Sequence, residues 1–450
     1  MRQARRCGAL LVALGALGLA PVAHAAEFVV DSTADAPDVK PGDEHCRTAT
    51  LTCTLRAAVQ EADETSGLDT VIVPAGRYRL SSTPSPEAGA AGEQDAANGD
   101  LDITDDLIVR GAGAGQTTVD GGGLDRVFEI ASGTTATITD MTITGGDASA
   151  GDTSQEITLG GGVLNQGTAT LERLSILHNT ADGGGGVFTI PGTHLTVHDS
   201  LIAGNAAFEG GGIRIDSGAE IVNTTITDNT LLVPSDDYAA HPKGLVVPAV
   251  DEISGYGGGI DHRGGDDVAI INSTITGNHA VKGGGGVNSG QGYAPVSDRV
   301  ELGRVRLRNS IIAHNTSAAG PRDCHVKDQI IESVGHNLDG DGSCFLTAAG
   351  DLPSRDPLLG RLADNGGPTA TQALPAGSPA IDAGAADGCP QHDQRGVARP
   401  QGGACDIGAY ERVPARQAPR GKKHRKRAAV RRSRHPRNRR VGRARRQRGA

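Results

Sequence analysis

Two short patterns alternate through the middle of the chain, and they leave few folds open. One is three glycines followed by a β-branched residue, at Gly160-Gly161-Gly162-Val163, Gly184-Gly185-Gly186-Val187, Gly210-Gly211-Gly212-Ile213, Gly257-Gly258-Gly259-Ile260 and Gly284-Gly285-Gly286-Val287. The other is Ile-x-x-Asn, at Ile176/Asn179, Ile202/Asn205, Ile226/Asn229, Ile275/Asn278 and Ile312/Asn315. An earlier copy, Thr142-Ile143-Thr144-Gly145-Gly146, carries Gly where the Asn would fall. Before an insertion intervenes, successive Asn residues stand 26 and 24 apart. A period in the mid-twenties, built of short alternating strands and Gly/Asn turns, is the pattern of a parallel β-solenoid.

Alternation along each strand sends Ile176 or Val163 inward and its neighbours outward. Glycine supplies corners with positive φ, and Asn tolerates that conformation too. An inward-pointing Asn would bond to its counterpart one coil away and build a ladder. Long helices are excluded by 66 Gly in 450 residues, and the repeats lack apolar residues three and four apart. The expected fold is all-β: a parallel β-helix of roughly ten coils spanning 69–315. The stretches 81–99, 147–158 and 231–256 read as loops that interrupt it.

An open solenoid end is a template for aggregation and needs a cap. Leu55, Ala58, Val59 and Ala62 share one helical face, so a helix over 55–64 would close the N-terminal end of a cap region, 26–68. The turn-rich segment 316–411 would close the other end. Six cysteines flank the glycine-rich middle: Cys46, Cys53, Cys324, Cys344, Cys389 and Cys405. Fifteen pairings are possible, of which the sequence-local 46–53, 324–344 and 389–405 are the simplest. Their spacings match no common zinc pattern.

Arg2, Arg5 and Arg6 precede an apolar run from Gly8 to Ala20, and Ala23-His24-Ala25 offers small residues for cleavage between Ala25 and Ala26. Residues 1–25 therefore read as a secretory signal peptide, which leaves no transmembrane segment in the mature chain and places it outside the cell or at its surface. The formal charge of −10 conceals a division. Residues 412–450 hold 18 of the 43 Lys/Arg and no acid, whereas 26–411 hold 22 basic residues against all 53 acids. The tail has no apolar periodicity and reads as disordered. It suits an anionic envelope polymer or polysaccharide, or folding back on its own acidic body. With no aromatic residue to stack on bases, it does not suit specific nucleic-acid recognition.

Chemistry-bearing residues are sparse. Asp261, His262, Asp266 and Asp267, directly after a glycine triplet, form the best local acid/base or metal cluster. A structural reading competes with it, because Arg214 and Asp261 fall at equivalent positions of successive coils, as do Asp216 and Arg263. Asn337-Leu338-Asp339-Gly340-Asp341-Gly342 starts like a calcium loop, with Asn337, Asp339 and Asp341 as ligands. Its twelfth position is Ala348, so the alternative is a plain turn. Calcium is the one cofactor for which the sequence offers ligands, and no nucleophile elbow or phosphate loop is present.

Several of these stretches resemble known families. Cys53-Thr54-Leu55-Arg56-Ala57-Ala58, followed by Asp69-Thr70-Val71-Ile72-Val73-Pro74, resembles the CSLREA-type N-terminal domain, with Ala57 at its acidic position. The repeats resemble the pectin-lyase-like right-handed β-helix and the Gly-rich, Asn-bearing repeats of polymorphic outer membrane proteins. Asp364-Asn365-Gly366-Gly367-Pro368-Thr369, Gly377-Ser378-Pro379-Ala380-Ile381-Asp382, Asp393-Gln394-Arg395-Gly396 and Cys405-Asp406-Ile407-Gly408-Ala409-Tyr410-Glu411 resemble the choice-of-anchor Q domain. The resemblance implies an exported surface protein with a sorting or anchoring module after the rod, and the expected function is a non-catalytic binding, adhesion or envelope-structural role. The alternative is a polysaccharide lyase or glycoside hydrolase acting on acidic polysaccharide in a lateral groove. The basic tail stands where a sortase motif or apolar anchor would be expected.

Overall fold

The computed structural model describes residues 25–82, 96–150, 158–232, 255–290, 303–326 and 330–414. Within them the chain winds as a right-handed parallel β-helix whose coils each contribute one strand to three sheets. The first sheet has ten strands, from Glu27–Val29 to Ile330–Gly335. The second has ten, from Gly76–Arg79 to Leu352–Pro353, and the third has eight, from Leu101–Ile103 to Cys324–Val326. Parallel pairing thus begins at Glu27 and continues past Asn315 to Pro353. Of the expected loops, 83–95, 151–157 and 233–254 lie outside the described residues.

The repeat is explained by what each position does. Gly160, Gly184, Gly210, Gly257 and Gly284 all have φ between +62° and +72°, the left-handed corner entering the third sheet. The next two glycines of each triplet are needed for close approach. A Cβ on Gly185 would lie 2.3 Å from the Ala206 carbonyl oxygen, and one on Gly186 2.5 Å from that of Gly212. The Ile of the second motif is inward and fully buried in every coil.

The repeat Asn residues form the expected interior ladder. Asn179, Asn205, Asn229, Asn278 and Asn315 are buried, and each Oδ1 from Asn205 onward accepts both the backbone N–H and the Nδ2–H of the Asn one coil earlier, at 2.9–3.1 Å. The left-handed corner is taken by the residue before each Asn (His178, Gly204, Asp228, Gly277 and His314), so the Asn serves the ladder and its neighbour the turn. His178 and His314 are exposed there, as outward coil residues. Asp323 ends the ladder, its Oδ1 accepting from Asn315 N (2.9 Å) and Nδ2 (3.0 Å).

The N-terminal cap is the helix Leu55–Glu64, with Thr54 as its N-cap accepting from Ala57 N at 3.1 Å. Its apolar face closes the core. Disulfides join Cys46–Cys53, Cys324–Cys344 and Cys389–Cys405. The C-terminal segment does more than close an end. It runs back along the rod and covers the outer face of the second sheet, where Leu374, Ala380 and Ile407 pack with Ile311, Ala313 and Leu338 in a second, smaller core.

Candidate functional site: the outer face of the third sheet

In the third sheet the first and third residue of each strand face the core and the middle residue faces out. Register lines those middle residues into one row along the rod: Asp102, Glu129, Leu164, Phe188, Arg214, Asp261, Asn288 and His325. Strands stack about 4.8 Å apart, so the row offers a charged or aromatic contact at nearly every coil.

The Asp261–Asp267 set is divided rather than gathered. Asp261 faces out. His262, one residue on, faces the rod interior, fully buried, with Nδ1 3.2 Å from the Ile215 carbonyl. Burial pushes its pKa down, so it is held neutral. Asp266 and Asp267 lie on the exposed turn beyond, where Asp267 Oδ1 accepts from Arg304 N at 2.9 Å and starts the next strand. Arg214 and Asp261 are register partners, as the spacing predicts, but their ion pairs run through other residues. Arg263 holds Asp261 (2.8 Å) and Glu209 (3.1 Å), and Arg214 holds Glu209 and Asp216.

The remaining row continues this network. Asn288 Nδ2 donates to Asp261 Oδ1 (2.7 Å), and Asn288 Oδ1 lies 2.8 Å from His325 Nδ1. Arg214 sits over the Phe188 ring at 5.3 Å, and Tyr256 stacks on His325 at 4.5 Å.

A second acidic group, which the sequence reading missed, occupies the first two coils of the row. Asp100, Asp102 and Glu129 bring carboxylate oxygens within 4.8 Å of one another, and all three are buried. Arg126 pairs with Glu129 (2.5 Å) and Asp100 (3.4 Å), and Gln166 Nε2 donates to Glu129 at 2.5 Å. Desolvation, reinforced by neighbouring carboxylates, pushes Asp102 up to about 9, and Glu129 and Asp125 up to about 7. Leu101-Asp102-Ile103 and Phe128-Glu129-Ile130 are both acids flanked by apolar residues, but only the strand register makes them neighbours.

The calcium-like loop is reorganised. Asn337 is buried in the rod, Nδ2 donating to Leu307 O and Oδ1 accepting from Ser310 N, both at 2.9 Å. Asp339 and Asp341 are joined instead by Asp323. Each oxygen of these three carboxylates accepts a backbone N–H: Asn315 and Asp341 on Asp323, Asp341, Gly342 and Cys344 on Asp339, Ser343 and Asp323 on Asp341. The group is a hydrogen-bonded closing turn, stapled by Cys324–Cys344.

No family model and no curated protein matches the chain. Among solved structures it is similar to pectate lyase Pel9A, 14% identical over 87% of this chain and 98% of that one, with a TM-score of 0.39. It is also similar to the A-module of the Azotobacter vinelandii mannuronan C-5 epimerase AlgE6, 16% identical over 66% of this chain and 69% of that one, with a TM-score of 0.37. Likenesses at these identities and TM-scores bring no role to this chain.

Proposed function

We propose that this is an exported β-helical protein that binds at the cell envelope without cleaving what it binds, and that its basic tail holds it to an anionic polymer. The observation that carries the reading is the division of the Asp261–Asp267 set among core, ion pair and turn. The side chains that would have to converge on a substrate are committed to holding the coils. Three disulfides suit a chain that folds outside reducing compartments, and among the described residues no helix is long and apolar enough to cross a membrane. The resemblance of 364–411 to choice-of-anchor Q segments supports a surface role. The tail (18 Lys/Arg in residues 412–450) supplies the attraction to a polyanion that the acidic body lacks. Binding of residues 26–450 to an anionic polysaccharide should be released by salt and lost on deletion of 415–450. Undiminished binding after that deletion would refute the tether.

One observation favours a second reading, an enzyme acting on acidic polysaccharide. Asp102 and Glu129, with raised pKa values beside Arg126, are groups able to exchange protons near neutral pH. That reading predicts new chain ends from one polymer and their loss in Asp102→Asn.

A further inference from the structure

The acidic group at the first two coils plays no part in the tether. Asp102 is 1% exposed; its Oδ2 accepts from Ala96 N at 3.1 Å, while Oδ1 has no hydrogen-bond partner among the described residues. With Asp125 the group sets four carboxylates against the single guanidinium of Arg126. We propose that Asp100, Asp102 and Glu129 bind a divalent cation, calcium by preference. The donors are oxygen only, which selects a hard ion. Calcium–oxygen distances of about 2.3–2.6 Å put opposed ligands about 4.6–5.2 Å apart, so carboxylate oxygens within 4.8 Å of one another already fit one shell. The free Asp102 oxygen then gains a partner.

The segment carrying this group is fixed from the N-terminal cap. Arg56, fully buried in the helix, donates to the carbonyls of Ala96 (2.9 Å), Gly99 (2.7 Å) and Asp100 (2.8 Å), and pairs with Asp35 at 2.7 Å. It is a positioning residue: one planar fork holds the carbonyls of Asp100 and of Ala96, the residue whose N–H meets Asp102.

The test is calorimetric titration of residues 26–450, stripped with a chelator, with calcium. One ion per chain is expected. Asp102→Asn and Glu129→Gln should each weaken binding at least tenfold, and Asp339→Asn should leave it unchanged. Arg56→Lys should weaken affinity without altering its pH dependence. Absence of binding at millimolar calcium, or equal loss in Asp339→Asn, overturns the proposal. Should Asp102→Asn fail to fold, Glu129→Gln against Asp339→Asn decides the location. The outcome is independent of whether the tail binds polymer.

A different observation carries a second inference. Asp69 is fully buried; its Oδ1 accepts the Ala26 N–H at 2.7 Å and its Oδ2 has no hydrogen-bond partner among the described residues. A peptide N–H offers one proton. We infer that cleavage after Ala25 turns that amide into an ammonium, whose further N–H groups serve the second oxygen and make a buried ion pair. Ala26 O already accepts from Thr70 N at 2.9 Å, so the new terminus begins the strand ladder directly. Sequencing of the secreted protein should read Ala26 first. A version retaining Ala25 should melt roughly 2–4 °C lower, and Asp69→Asn should erase the difference. A different terminus, or equal melting of the two versions, contradicts the inference.

Discussion

Thr225 Oγ1 donates to Gln394 Oε1 across 2.6 Å, joining residues 169 positions apart. The contact belongs to a series. Five corner residues between the first and second sheets (Asp199, Asn223, Asn272, Asn309 and His336) have positive φ, and each bonds the returning C-terminal segment. Thr369 donates to Asp199 O, Asn223 to His392 O, Asn272 to Asp406 O and Asn309 to Ala385 O, while His336 Nδ1 lies 2.7 Å from Ala383 O. In these coils the left-handed corner thereby also aims a polar group at the strap.

The strap is therefore part of the rod's stability. Ile407→Ala removes a fully buried side chain from the second core and should cost about 2–5 kcal/mol. Limited proteolysis should then clip the segment beyond Pro353 first. Equal stability to denaturant would show that the strap docks without supporting the coils.

Asn229→Ala should cost about 3 kcal/mol, measured by chemical denaturation. The substitution strands the buried Asn205 N–H and Nδ2–H, which lose their acceptor, and the Ile202 carbonyl, which loses a donor. A loss below about 0.5 kcal/mol would mean that the ladder is replaceable by water.

Glycines separate by reason. Gly192, φ +82° with open space around it, should tolerate Ala at about 1–2 kcal/mol. Gly185→Ala puts a methyl 2.3 Å from the Ala206 carbonyl oxygen, must push coils apart, and should cost more than Gly192→Ala. The paired unfolding curves would expose the argument if the order were reversed.

Asp63, Glu129 and Asp323, each pushed up to about 7, and Asp102, pushed to about 9, bind protons more tightly folded than unfolded. Their contribution to stability is fully present below about pH 4 and is lost as pH rises through their folded values. Asp102 is faced by Asp100, Glu129 and Arg126. In chelator, the melting temperature should fall from pH 5 to pH 9, and Asp102→Asn should flatten the upper part of that fall. A rise over the same range would contradict the burial argument.

The coils were readable from sequence because each repeat position has one chemical solution: no side chain where backbones meet, an amide where a ladder runs. The helix over 55–64 and the three local disulfides were readable for similar reasons, one amphipathic face and short spacings. The acidic group at Asp102 and Glu129 was not, since its members lie in different coils outside the glycine-marked repeats and meet only through register. The Asp261–Asp267 cluster looked gathered because its members are neighbours in sequence, whereas strand alternation sends Asp261 and His262 to opposite faces. The docking of the strap left no signal, because its segment does not repeat.

The central claim is binding through the tail without cleavage, and one incubation tests it. Residues 26–450 are mixed with an insoluble anionic polysaccharide, with calcium, at low and high salt, alongside the chain ending at Pro414. Retained protein and new chain ends are both measured. The account predicts retention of the longer chain at low salt, release at high salt, no retention of the shorter chain, and no new ends. New ends, or retention of the chain lacking 415–450, would contradict it.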